Sequence, residues 1–221
     1  MRSLQDRFHR SYLPRNGELV RRREFGFSLL EMMIVVAILI IVASISFISL
    51  QPMMRNAHVD SAYDTTLMAL RNYRSKAITE RKRYIVTFTA PRTITISYWG
   101  VAVPVNPAPV VVQTLTLPTD IQFMVQAGMP NAVATTPDNF GTGNIPIDFG
   151  QGLGAGGLNY VMFVPDGSAQ DLIGNFNSGV VYVGLTGNLF SMRAVSVFGT
   201  TGRVRGWRLY PQGGGAQWSQ Q

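Results

Sequence analysis

The 221-residue, 24.3 kDa chain is long enough for one ordinary domain plus an appendage. Hydrophobic residues make up 46%, charged residues 14%, and mean hydropathy is +0.13, which excludes an intrinsically disordered chain and falls short of a multi-span membrane protein. The absence of cysteine excludes a disulfide framework, a thiolate metal site and a cysteine nucleophile.

The formal charge of +7 is unevenly placed. Residues 1–26 hold seven Arg against Asp6, Glu18 and Glu24. Arg55 to Arg92 carries eight basic groups against three acids, and residues 93–192 contain no Lys or Arg at all. Four Arg and no acid occupy the stretch from Arg193 onward.

After the basic leader, residues 27–50 read FSLLEMMIVVAILIIVASISFISL, 24 residues with the single charge Glu31. A helix of that length reaches about 36 Å and covers a hydrocarbon core of about 30 Å. Arg21, Arg22 and Arg23 just before it predict a cytoplasmic N-terminus, with everything after Leu50 facing outward. Ala43-Ser44-Ile45-Ser46 is a poor signal-peptidase site, and the run is long for an ordinary secretory signal. Composition alone reads as a plain one-span anchor.

The junction Arg23-Glu24-Phe25-Gly26-Phe27-Ser28-Leu29-Leu30-Glu31 resembles the type III signal sequence of type IV prepilins and pseudopilins. That resemblance implies cleavage between Gly26 and Phe27 by a prepilin peptidase, N-methylation of Phe27, and an assembly role for Glu31. The last role has a physical basis as well. A carboxylate in a membrane helix costs roughly 2.5–3.5 kcal/mol at the bilayer centre and therefore calls for a partner, such as the new amine of its own or a neighbouring chain.

Gln51-Pro52 predicts a kink or break, since proline removes a backbone donor. Val59, Tyr63, Leu67, Leu70, Tyr73 and Ala77 then recur at helical spacing, with Asp60, Asp64, Arg71, Lys76 and Glu80 largely off that stripe. The pilin resemblance implies instead one continuous long helix. The stretch Leu70-Arg71-Asn72-Tyr73-Arg74-Ser75-Lys76-Ala77-Ile78, followed by Tyr84-Ile85-Val86-Thr87-Phe88, is similar to the GspH/FimT branch of pseudopilins.

Strand patterns follow at 84–89, 93–99, 110–117, 121–125, 160–164, 180–185, 194–198 and 204–210. Residues 126–157, rich in Gly, Pro, Asn and Thr, read as a long loop or an insertion. The organisation expected is a leader (1–26), a transmembrane helix (27–51), an amphipathic helix (52–83), a periplasmic β-rich head (84–212) and a flexible tail (213–221). The fold class is α+β: a long N-terminal helix packed on an antiparallel β-rich head, as in pilins.

Gly152, Gly154 and Gly157 satisfy G-x-G-x-x-G, but a strand pattern follows where a dinucleotide site needs a helix. Only His9 and His58 are present, which cannot build the usual zinc site or a confident triad. Asp138, Asp148, Asp166 and Asp171 lack EF-hand spacing and read as turn aspartates. No enzyme, metal or cofactor is expected.

The stretch Gly202-Arg203-Val204-Arg205-Gly206-Trp207-Arg208-Leu209-Tyr210 gathers three Arg beside Trp and Tyr. In a strand Arg203, Arg205 and Trp207 share one face, where arginines bridge phosphates and an indole stacks on a base. The Gly-Arg-x-Arg element is similar to the motif by which FimT-like minor pilins bind DNA, which makes Arg203, Arg205, Arg208 and Trp207 the candidate DNA contacts. The alternative is an edge strand guarded by charge, with Trp207 buried. The functional expectation is a structural minor pilin or pseudopilin of the bacterial inner membrane. Its partners would be a prepilin peptidase, other pilins, the membrane and, in the alternative reading, DNA. A lone membrane-tethered periplasmic domain is the reading without a filament.

Overall fold

The computed structural model describes residues 26–99, 109–151 and 157–221, and for residues 45 and 47–50 the backbone alone. The expected leader up to residue 25 and the glycine stretch 152–156 lie outside the described residues. The chain divides into two units, Met1–Phe47 and Ile48–Gln221.

A single helix, α1 (Leu29–Glu80), belongs to both units. Its described N-terminal part is exposed on every side, including Leu29, Ile34, Leu39 and Ile41, and packs on none of the described residues. No helix among the described residues is long and apolar enough to cross a membrane.

The break expected at Pro52 does not occur, for the helix continues through it. Proline there removes one backbone donor on an exposed turn, where water can satisfy the orphaned carbonyl. Beyond Pro52 the predicted stripe holds. Val59, Leu67, Leu70, Tyr73 and Ala77 are buried and Tyr63 is half-buried. The helix ends three residues before the expected 83. Arg81 takes a left-handed φ of 54°, and the Lys82 N–H donates to the Ala77 carbonyl at 3.2 Å, the pairing of a Schellman cap.

Two antiparallel sheets complete the larger unit. The first runs β3 (Val110–Thr116), β2 (Thr93–Trp99), β1 (Arg83–Thr89), β6 (Tyr160–Phe163), β7 (Ala169–Gln170). The second runs β11 (Gly215–Gln220), β10 (Arg203–Gln212), β9 (Arg193–Phe198), β8 (Ser178–Leu185), β4 (Ile121–Phe123). A further strand, β5 (Ile147–Gln151), also pairs with β8, end to end with β4.

The main core joins the helix stripe to the inner faces of both sheets, with Val86, Phe88, Ile94 and Ile96 meeting Phe149, Val181, Val183, Val195 and Val197. Phe88 lies stacked on Phe149 at 5.7 Å and edge-on to Phe123 at 5.5 Å. Each such ring contributes about 1.5–3 kcal/mol by burial alone. A second core forms on the opposite face of the second sheet from Val180, Tyr182, Ala194, Leu209 and Trp218, closed by Met129 and Phe140.

Two expectations are corrected here. Residues 126–157 are not simply a loop: they contain β5, two short 3-10 turns (Val133–Thr135 and Pro137–Asn139), and the lid of the second core. Residues 213–221 are not a flexible tail. Gly213 and Gly214, with φ of 56° and 86°, turn the chain so that Gln212 pairs with Gly215 and β11 returns along β10. Two successive positive φ values are what a tight two-residue hairpin requires, and Trp218 then packs into the second core opposite Leu209.

Candidate functional site

Gly26 and Phe27 precede the helix in non-helical backbone. The Ser28 carbonyl accepts the Met32 N–H at 3.1 Å, which makes Ser28 the helix cap. Phe27 is 71% exposed, and a Cβ added at Gly26 would meet nothing within 4 Å. Glu31 occupies the first helical turn, where the positive end of the helix dipole favours a carboxylate. Glycine, aromatic residue and carboxylate thus stand in order at one helix start, with no described residue crowding Gly26.

The 202–210 stretch lies on β10, and its two glycines have packing roles that the sequence did not disclose. Gly202 has φ +61°, and a Cβ there would sit 2.0 Å from the Gly167 carbonyl oxygen. At Gly206 a Cβ would fall 1.7 Å from the Tyr63 hydroxyl. Gly206 therefore admits Tyr63 of α1 against the sheet, and Gly202 admits the turn before β7. Arg74 closes the same corner, donating from Nε to the Gly167 carbonyl (3.1 Å) and from Nη2 to the Thr201 carbonyl (2.9 Å).

The candidate DNA contacts divide. Arg203 is exposed. Arg205 donates from Nη1 to Asp138 Oδ1 at 2.5 Å, an ion pair that sequence reasoning missed. Trp207 is half-buried and donates from Nε1 to Ser196 Oγ at 2.9 Å, and Ser196 in turn donates to the other Asp138 oxygen. Arg208 falls on the alternate face of β10 and stacks over Tyr210 at 5.3 Å. The shared face of Arg203, Arg205 and Trp207 follows from strand alternation, but two of the three are engaged inside the protein.

Arg203 instead joins Arg71, Arg74, Phe198, Thr201 and Val204 around an open groove of about 570 Å³. Arg71 and Arg74 come from α1, so this cluster exists only in the folded chain. Arg193 is not part of it. Its guanidinium is 5% exposed, bridges to Asp60 of α1 at 2.9 Å and bonds three carbonyls of residues 190–192. Burial pulls its pKa below the usual arginine range, and Asp60 opposes that shift.

Three of the four loop aspartates pin backbone, and the fourth, Asp138, holds side chains. Asp148 is fully buried and accepts from the Thr142 N–H, the Gly157 N–H and Gln151 Nε2. Asp166 takes the Ser168 N–H at 2.7 Å, and its carboxyl is held below its ordinary value first by the Ser168 side chain and then by this N–H. Asp171 takes those of Ile173 and Asn175, and Asp138 holds Arg205. His58 faces Asp120 at 3.0 Å. At the helix-to-sheet junction Tyr84 donates to Glu80 at 2.6 Å. Burial, with this bond, pushes the Tyr84 pKa up to about 12, while the same bond holds the Glu80 carboxyl below its ordinary value.

One N-terminal helix with two antiparallel sheets is an α+β architecture consistent with a pilin-like fold. The family described as the prokaryotic N-terminal methylation motif matches residues 21–47. That motif supports a subunit of the type IV pilin or pseudopilin kind, and it implies processing by a prepilin peptidase and assembly with other pilins. No curated protein and no solved structure matches the chain.

Proposed function

We propose that the chain is a minor pilin or pseudopilin of the GspH/FimT type, a structural subunit of a type II secretion pseudopilus or a type IV pilus, and not an enzyme. The observation that carries this reading is the methylation motif set at an open helix start, Gly26-Phe27 followed by Glu31 in the first turn. The apolar sequence 27–50 anchors the subunit once in the inner membrane, with Arg21, Arg22 and Arg23 cytoplasmic and the β-rich head periplasmic. Native protein from a host with an active prepilin peptidase should begin at an N-methylated Phe27. Intact-mass analysis that recovers only the full-length chain would overturn the reading.

The groove of Arg71, Arg74 and Arg203 supports a second reading, a minor pilin that captures DNA. Arg71 and Arg203 bring two guanidiniums to one concavity, beside an Arg74 already bonded to the Gly167 and Thr201 carbonyls, and such a pair suits phosphate recognition. On this reading the contacts are Arg203 and Arg71, while Arg74 holds the corner beneath them and Arg205 and Trp207 brace the lid of the second core.

A further inference from the structure

A second groove, also of about 570 Å³, lies between the two 3-10 turns and the β10–β11 hairpin. We infer that it is a binding site for a short neutral oligosaccharide. Its volume falls within the range of about 300–1,000 Å³ typical of small-molecule sites.

Trp207 and Trp218 both line the groove. They share one face of the hairpin, because Trp218 pairs with Leu209, two residues beyond Trp207. The Trp207 ring is locked by the chain of bonds from its Nε1 through Ser196 to Asp138, which Arg205 anchors in turn. A fixed indole is a platform on which the C–H face of a pyranose packs without first losing rotamer freedom.

The other lining groups suit hydroxyls. Thr135, Asn139, Gln212 and Gln217 are exposed neutral side chains that both donate and accept. Asp138, the charged residue in the lining, is neutralised by Arg205, which disfavours charged ligands and nucleic acid alike. Asp138 and Asn139 are consecutive non-glycine residues at φ 53° and 60°. Such left-handed pairs are rare, and they concentrate where a binding geometry is held in place.

The test uses the full chain in a detergent without a sugar headgroup, titrated with cellotriose, chitotriose and maltotriose. Saturation-transfer NMR reports contact and tryptophan emission reports the indoles. At least one trisaccharide should bind saturably, with a dissociation constant on the order of 1 mM. Asn139→Gly keeps the left-handed backbone while deleting the amide, and Gln217→Ala changes an exposed strand position. Each should weaken binding about fivefold with an unchanged near-ultraviolet spectrum. No saturable response to any of the three sugars overturns the inference, as does binding that both variants leave intact.

Discussion

Replacing Gly202 by alanine tests whether the Gly-Arg-x-Arg element is first of all a packing motif. The added Cβ would lie 2.0 Å from the Gly167 carbonyl oxygen, 2.9 Å from Arg74 Nε and 3.1 Å from the Gly167 carbonyl carbon. The nearest obstacle is backbone, which cannot rotate away. Holding alanine at a left-handed φ costs about 1–2 kcal/mol, and overpacking adds about 1–3 kcal/mol. Gly202→Ala should therefore lower head stability by about 2–5 kcal/mol, a large share of the 5–15 kcal/mol of an ordinary domain. Gly213→Ala is the control, since it has φ +56° but no atom within 4 Å of its Cβ. It carries only the backbone term. Urea unfolding of residues 48–221, followed by circular dichroism, reads the difference between the two. If Gly202→Ala costs no more than Gly213→Ala, the close approach of Gly202 to Gly167 does not hold this corner, and the packing account of the motif is wrong.

Three further outcomes are expected. Glu31→Val should insert in membranes normally yet enter filaments poorly, and normal incorporation in a piliated or secreting strain would show that the carboxylate is incidental. If the arginine groove binds DNA, Arg71→Gln with Arg203→Gln should flatten the log–log salt dependence by about 2, at about 0.9 per phosphate contact. Arg205→Gln should leave that slope unchanged, and a drop on Arg205→Gln alone would return the site to the outer face of β10. Tyr84 is raised to about 12 in the folded head against about 10 when unfolded. Its contribution is thus complete below pH 10 and is lost as pH rises toward 12, by at most a few kcal/mol. Tyr84→Phe should remove that part of the alkaline loss, and identical stability–pH curves for both proteins would refute the shift.

The sequence was most informative where a period or a fixed spacing carried the signal. The helix stripe from Val59 to Ala77 and the hairpin strands at 84–89 and 93–99 repeat at the intervals their structures demand. The chain was least legible where a structural role depended on a distant partner. Strand β5 was hidden because its alternation Ile-Asp-Phe includes a buried carboxylate, acceptable only when Thr142, Gln151 and Gly157 supply donors. The terminal hairpin was hidden because Gly213-Gly214-Gly215 has the composition of a linker. Its turn is revealed by the buried Trp218 that follows, a large apolar residue poorly suited to a free tail.

Charge was misleading in the same way. The C-terminal arginines look like one basic strip when read along the chain, whereas each meets a different environment in space. Arg193 ties the second sheet to α1 through Asp60, Arg205 ties β10 to the lid through Asp138, and Arg208 lies over Tyr210. Removing Asp60 would leave the buried Arg193 guanidinium with carbonyl partners alone, at a cost above that of an exposed ion pair. Arg203 alone extends into an open groove, and its companions there are contributed by the helix. The basic groove around Arg203 is therefore a property of the helix–sheet junction, since Arg71 and Arg74 of α1 complete it.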